Sequence, residues 1–301
     1  MSDLGTIPAK IIIIPYTYFM DTANLSDLCP VIGQENMTCF DIVYDQRQKL
    51  SVLYKPAKIA NSTRSIVMFS GGSRDKNIVR YFNRWTWTHF DCHMFYVSDP
   101  YCFKPANCST SWYMSDFSDP NPIIHSILLK FHQLLNIAFC KFIASSAGAY
   151  ASLQFSSLYE EIAPWTLTLA INPQLNPSDL SKTKTDEINK YYNRDINWGI
   201  NYSNIKKKVD AGRHLFIVLQ NRLDEKHYNG YFKPYKNKLI EAGIQGWTFQ
   251  TPAKSFYDYA AIDHHGYMLS QNTTYAFIEW VIAKDKNSTD DVNLYQIYRE
   301  F

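Results

Sequence analysis

The chain has 301 residues, a mass of 35.0 kDa and 46% hydrophobic residues, so it can bury the core of one large domain or two small ones. Its 30 Lys and Arg residues nearly balance 28 Asp and Glu residues, which excludes binding to nucleic acid or anionic membranes through a strong overall charge. No apolar stretch reaches the roughly 18 residues of a membrane span. The six cysteines include no Cys-x-x-Cys pair. We expect a soluble cytoplasmic protein with reduced thiols, no nucleic-acid partner and an oligomeric state that the sequence leaves open.

Short apolar runs rich in Ile, Val and Phe recur along the chain and predict strands buried on both faces. The first runs follow one another directly, whereas strands alternate with helical patterns from residue 65 onward. The clearest helix begins at Pro122, after Asn121 as a possible N-cap, and carries an apolar stripe at 3.6-residue spacing. The predicted strands lie at 10–14, 41–45, 50–54, 65–70, 93–98, 139–145, 167–172, 214–220 and 247–252; further helices are expected after Gly148, at about 232–242 and at about 268–284.

This order of elements predicts an α/β fold with a doubly wound, mainly parallel sheet and antiparallel N-terminal strands. We expect residues 1–64 to form the edge of the sheet and residues 65–301 to form the core. The segment 174–213 is longer than a connecting helix requires and is rich in Asn, Lys, Tyr and Asp. It is therefore predicted to be an inserted cap.

The segment FIASSAGAY ends an apolar strand with two adjacent serines among very small residues. It is either a Ser-rich turn or a nucleophile elbow, a strained strand-to-helix turn that exposes a serine. An elbow requires small residues two positions before and two positions after the nucleophile. These are Ala144 and Gly148 if Ser146 is the nucleophile, whereas Ser145 would place Ile143 there. The pattern favours Ser146, with Ala144 at a position where glycine is usual.

An acid and a histidine follow the serine at the ends of later strands, in the order that Ser-Asp-His hydrolases use. Asp224 comes after the strand HLFIVLQ, and Glu225 is the alternative acid. His264 and His265 precede the last predicted helix. Gly266 allows a sharp turn beside His265, which makes His265 the preferred base and His264 its rival. The other interpretation is that Asp224 is a solvated charge in a loop and that His264 and His265 are an ordinary His pair.

Acyl transfer also needs hydrogen-bond donors for the oxyanion of the tetrahedral intermediate. Gly72 follows the strand SIVMFS, and the amide of Ala147 comes next after the proposed nucleophile, so both amides are candidates. A simple glycine turn is the alternative for Gly72. The motif GxxxxGK[ST] of phosphate loops is absent from the sequence.

The sequence HFDCH places His89, Cys92 and His93 at spacings that zinc ligands use. No second cluster completes a ligand set, and the flanking apolar residues belong to predicted elements. We therefore expect no metal.

Four segments between residues 65 and 284 together resemble the α/β-hydrolase superfamily. They are SGG after one strand, ASSAG at the elbow, LDE after a later strand and HHG before the last helix. In addition, ASSAGA followed by INPQ resembles a group of bacterial proteins of that fold tied to surface polysaccharides, including capsule O-acetyltransferases. The resemblance implies Ser146 as nucleophile, Asp224 as triad acid and His265 as general base. The chain departs from the pattern at Ala144, in its Ser-Gly before the oxyanion hole, and in residues 1–60, which match nothing.

The sequence thus predicts a serine-nucleophile acyl-transfer enzyme acting on ester or acyl groups of a carbohydrate. It is an esterase if water resolves the acyl-enzyme, or a polysaccharide O-acetyltransferase, with acetyl-CoA as donor and no bound cofactor, if a sugar hydroxyl does. The alternative is a non-catalytic glycan-binding or assembly protein on a degenerate hydrolase fold. Four cap aromatics either stack on the sugar or pack within the lid: Tyr191, Tyr192, Trp198 and Tyr202.

Overall fold

The computed structural model describes residues 12–19, 38–45, 48–71, 90–99, 122–158, 162–180, 182–192, 195–249, 278–283 and 298–299. The strands of this part of the chain are β1 (Ile12–Phe19), β2 (Thr38–Asp45), β3 (Gln48–Lys55), β4 (Arg64–Phe69), β5 (His93–Val97), β6 (Phe139–Ser145), β7 (Trp165–Ile171), β8 (His214–Asn221), β9 (Gln245–Phe249) and β10 (Tyr298–Arg299). They pair in one sheet in the order β1-β2-β3-β5-β4-β6-β7-β8-β9-β10.

The centre of the sheet is parallel. All neighbouring pairs from β5 through β4, β6, β7 and β8 to β9 are parallel. Strand β3 pairs antiparallel with both β2 and β5, and β10 pairs antiparallel with β9. The predicted α/β fold with a mainly parallel sheet and antiparallel N-terminal strands is confirmed. Within that N-terminal region, β1 and β2 are parallel to each other, which the sequence did not indicate.

The described helices lie between successive strands of the chain, from β5 onward. They are α1 (Pro122–Leu134), α2 (Ser146–Leu158), α3 (Pro177–Leu180), α4 (Lys182–Tyr192), α5 (Tyr202–Asp210), α6 (Glu225–His227) and α7 (Lys233–Glu241), with a π-helical turn (Tyr228–Phe232) before α7 and helical residues at 278–283. Helices α3, α4 and α5 lie between β7 and β8, within the segment predicted as a cap; the division into core and cap stays a prediction.

Apolar residues cover both faces of the sheet. Along β4, Val67 and Phe69 belong to one buried cluster, whereas Ile66 and Met68 belong to another, because successive strand residues point to opposite faces. The first cluster includes apolar residues of α1, α2, α5 and α7, and the second includes Ile278 and Val281. With both faces covered, the polar groups that follow parallel strands gather at the carboxyl edge of the sheet, where such folds place their ligands.

Candidate functional site

Strand β6 runs directly into helix α2 at Ser146, and the backbone there is strained. The φ angle of Ser146 is +57°, in the left-handed region that residues with a side chain rarely occupy. Such strain persists only where the surrounding structure imposes it, and it clusters at functional sites. The geometry is that of a strand-to-helix elbow, and its serine side chain is half-buried at the carboxyl edge of the sheet.

Helix α2 opens at the serine, as a strand-to-helix elbow requires, and so begins earlier than the helix predicted after Gly148. It begins at Ser146, before Gly148, so the small residues form its first turn rather than a loop ahead of it. A Cβ atom on Gly148 would lie 2.3 Å from the carbonyl oxygen of Phe69, so only glycine fits where α2 packs against the end of β4. Ala144, at the position where glycine is usual, is fully buried.

The segment after β4 lies beside Ser146. A Cβ atom added to Gly71 would be 3.7 Å from the Ser145 carbonyl oxygen and 3.8 Å from the Cβ of Ser146. Ala147 occupies the first turn of α2, where backbone N–H groups lack helical partners. Gly72, the second candidate oxyanion donor, lies outside the described residues. The oxyanion hole therefore stays a prediction for both amides.

Gln174 contacts the serine directly, which the sequence did not predict. Its Nε2 donates a hydrogen bond to the Oγ of Ser146 at 3.2 Å, and the residue is 8% exposed. The residue ends the INPQ segment that follows β7, the strand next to β6. The segment carried the resemblance described above, but no chemical role followed from it, because its contact with Ser146 depends on the conformation of the loop.

Asp224 lies beyond the end of β8 and is buried, with 6% exposure. Its Oδ1 accepts hydrogen bonds from the Nδ1 of His227, at 2.8 Å, and from the backbone N–H of His227, at 3.4 Å, so it caps the short helix α6. Glu225, the alternative acid, is solvent-exposed. His265 and its rival His264 lie outside the described residues, so the triad of Ser146, Asp224 and His265 stays a prediction.

His227 is a further histidine at this edge that the sequence analysis overlooked. It is buried, with its ring centroid 5.4 Å from that of Tyr231. The signal was available, because an Asp and a His three residues apart share one side of a helical turn. The spacing Asp-x-x-His can therefore place an imidazole against the carboxylate without any long-range contact.

Trp198 and Tyr202, two aromatic residues of the predicted cap, contribute to packing. Trp198 is 7% exposed and belongs to the core cluster that includes α2, and Tyr202 packs against the same cluster. Burial raises the pKa of Tyr202 above its ordinary value. The hydroxyl of Tyr150 donates to the carbonyl of Trp198 at 3.0 Å, which ties this segment to α2. Tyr191 and Tyr192 end helix α4. Sugar binding by the four stays a prediction.

The segment around HFDCH is described only from residue 90 onward, so His89 lies outside it. Cys92 is a buried free thiol, and burial raises its pKa to about 12. The Nδ1 of His93 is hydrogen-bonded to the hydroxyl of Tyr54 at 2.9 Å. Over the described part of the chain, no group of three or more His, Cys, Asp and Glu residues is arranged to hold a metal ion. In the same residues, no helix has the length and apolar character needed to cross a membrane.

Comparisons with known proteins give matches by structure. No family model matches the chain, and no curated protein matches its sequence. The capsule O-acetyltransferase of Neisseria meningitidis serogroup A, in complex with caged gadolinium, superimposes with a TM-score of 0.55 at 19% identity, over 81% of this chain and 94% of that chain. A mutant of the same enzyme in complex with CoA gives a TM-score of 0.52 at 17% identity, over 86% and 99% of the two chains.

A different kind of enzyme matches as well. The acylaminoacyl peptidase of Pyrococcus horikoshii superimposes with a TM-score of 0.52 at 12% identity, over 88% of this chain and 45% of that chain. Identities this low establish the architecture and carry no statement about substrates. The chain therefore has the α/β-hydrolase fold.

Proposed function

We propose that the protein is a serine-dependent O-acyltransferase that moves an acetyl group from acetyl-CoA to a hydroxyl group of a carbohydrate. The observation that carries the proposal is Ser146, which is held at a φ of +57° between β6 and α2 at the carboxyl edge of the sheet. A serine that only ends a turn needs no such strain. Strain that the fold imposes on one hydroxyl-bearing residue is the arrangement expected of a nucleophile.

In the proposed reaction, His265 takes the proton of the Ser146 hydroxyl while the Oγ attacks the carbonyl carbon of the thioester. The amides of Ala147 and Gly72 stabilise the oxyanion. The carbon–sulfur bond then breaks, and the thiolate leaves with the proton from the imidazolium. The acceptor hydroxyl attacks the acetyl-serine in the same way, with its proton passing to His265, and the serine is regenerated.

Asp224 is the group that orients His265 in this scheme. Its buried position after β8 and its exposed neighbour Glu225 support the choice of acid. Because β6, β7 and β8 are adjacent and parallel, the residues that follow β6 and β8 reach the same edge of the sheet. His227 already holds the Oδ1 of Asp224, which fixes the orientation of the carboxylate.

The choice of a transferase over an esterase has its support in the structural neighbours. This chain aligns with nearly the full length of the capsule O-acetyltransferase, and one structure of that enzyme contains CoA. The peptidase is covered over less than half of its length. A carbohydrate acceptor and an acetyl-CoA donor are proposed on this likeness, together with the INPQ segment after β7.

The test supplies acetyl-CoA with and without a polysaccharide acceptor and follows free thiol. Thiol release that rises only with the acceptor, and that is lost in Ser146→Ala but retained in the neighbouring control Ser145→Ala, is the expected result. Turnover of simple esters in water, with no response to the acceptor, would make the protein an esterase. Glycan binding that survives Ser146→Ala, without an acetylated serine at any stage, would point instead to a non-catalytic glycan-binding protein.

A further inference from the structure

The side-chain amide of Gln174 is a fixed hydrogen-bond donor at the proposed nucleophile. Its Nε2 lies 3.2 Å from the Oγ of Ser146, and the residue is 8% exposed. A primary amide nitrogen donates protons and accepts none. Gln174 therefore donates to a lone pair of the serine oxygen and does not compete with a general base for the hydroxyl proton.

The loop around Gln174 is anchored before and after this residue. Asn172 has a φ of +44°, and its backbone N–H donates to the carbonyl of Leu219 at 2.8 Å. Its side-chain Oδ1 accepts from the backbone N–H of Asn221 at 2.7 Å. After Gln174, Leu175 is buried in the core. These contacts tie the loop to β8 and to the core, so the amide is positioned before any substrate binds.

The loop is also held on its far side. The Nδ2 of Asn176 donates to the hydroxyl of Tyr235 at 3.1 Å, and that hydroxyl in turn donates to the Oδ2 of Asp179 at 2.7 Å. Tyr235 belongs to α7, which packs on the same side of the sheet as α2. The position of Gln174 is thus set by contacts with two separate elements, β8 and α7.

We propose that Gln174 is a catalytic residue whose amide directs the Ser146 hydroxyl proton toward the general base and stabilises the negative charge on Oγ as that proton leaves. This role rests on the proposed function of Ser146 as nucleophile. A serine hydroxyl has one proton and two lone pairs. While one lone pair accepts from Gln174, the hydroxyl proton points elsewhere, and the base receives it.

The contribution of Gln174 rises during the reaction. A hydrogen bond to an ionised oxygen is roughly twice as strong as one between neutral groups. Negative charge develops on Oγ as the proton passes to the base and disappears once Oγ has bonded to the acyl carbon. The bond from Gln174 is therefore strongest near the transition state, and it raises the rate of acylation more than the affinity for the donor.

The experiment measures the second-order rate of covalent labelling of Ser146 by a fluorophosphonate probe as a function of pH. Gln174→Met removes the donor and keeps the length of the side chain, and Gln174→Glu keeps the shape but replaces the donor with a carboxylate. Gln133→Met and Gln133→Glu make the same changes at an exposed position of α1 and are the matched controls. Thermal unfolding is recorded for every variant, and Gln174→Ala replaces any Gln174 variant that unfolds below the wild-type temperature.

We expect Gln174→Met to lower the plateau rate about 10- to 100-fold, the range for a hydrogen bond to a charged group, with the pH midpoint unchanged. In Gln174→Glu, the rate falls and the midpoint rises, because a carboxylate beside the serine also stabilises the protonated base. A merely structural role would not move the midpoint. The Gln133 controls label at the wild-type rate.

Two negative results have different meanings. If the wild-type protein labels at Ser146 and both Gln174 variants label at the same rate as the wild type, the role of Gln174 is refuted while the proposed function stands. If the folded wild-type protein takes up no probe, Ser146 is not an activated nucleophile, and the proposed function and the role of Gln174 both fail.

Discussion

At the strained serine, glycine is predicted to be more stable than alanine, which reverses the order seen in ordinary helices. Both Ser146→Gly and Ser146→Ala remove the hydroxyl and its hydrogen bond with Gln174. The difference between their free energies of unfolding therefore reports the effect of the backbone conformation at position 146. With alanine at position 146, the backbone strain at a φ of +57° remains and destabilises the folded state by about 1–2 kcal/mol. Glycine adopts this φ without strain, but it lowers the stability by about 0.5–1 kcal/mol because it increases the conformational entropy of the unfolded chain. We therefore expect Ser146→Gly to be more stable than Ser146→Ala by up to about 1.5 kcal/mol.

Urea unfolding measures this difference through the transition midpoint, provided that the slope is the same in both variants. The control pair is Asn237→Gly and Asn237→Ala at an exposed position inside α7, where glycine should be the less stable by about 1 kcal/mol. If alanine at position 146 proved as stable as glycine or more so, the serine would not be strained, and the elbow would lose its main support.

Three further predictions concern packing, pH and the triad acid. Gly148→Ala should destabilise the fold by about 1–3 kcal/mol in urea unfolding, because its Cβ would lie 2.3 Å from the carbonyl oxygen of Phe69. Burial lowers the pKa of His132 to about 4, below the value of about 6.5 in the unfolded chain. As the pH falls, the unfolded state therefore binds a proton before the folded state does. The free energy of unfolding is largest above pH 6.5 and declines by up to about 3 kcal/mol toward pH 4. A urea midpoint that did not change with pH across this window would contradict the prediction. Asp224→Asn should lower fluorophosphonate labelling at least about 100-fold by analogy with triad acids, whereas Glu225→Gln should leave it unchanged; equal labelling in both variants would remove Asp224 from the triad.

Local steric rules let the sequence predict the position of the elbow. The choice of Ser146 over Ser145 depended only on the size of the residues two positions away, and Gly148 indeed lies where no Cβ fits. The mainly parallel sheet with antiparallel N-terminal strands followed in the same way from apolar runs and from their alternation with helices. Parallel pairing of β1 with β2 was not predicted, because the connection at 20–37 is long enough for a parallel crossover but does not require one.

The contacts around the serine depend on tertiary structure and were not predictable from the sequence. Gln174 reaches Ser146 because β6 and β7 are neighbours and because Asn172 takes a left-handed conformation that turns the loop. Burial of Trp198, by contrast, had a signal in the sequence that was missed: Ile196, Trp198 and Ile200 alternate with polar residues or glycine and are all buried, which is the two-residue period of an extended segment with one inward face. Sequence patterns thus specified the residue at the turn, but not the side chains that surround it.

The most direct test of the account is to find out whether Ser146 is an activated nucleophile. The purified protein is treated with a fluorophosphonate probe, the modified peptide is identified by mass spectrometry, and the measurement is repeated on Ser145→Ala, Ser146→Ala and His265→Ala. The account predicts an adduct on Ser146 that survives Ser145→Ala and is suppressed by His265→Ala. A well-folded protein without an adduct, or with an adduct elsewhere, would contradict it.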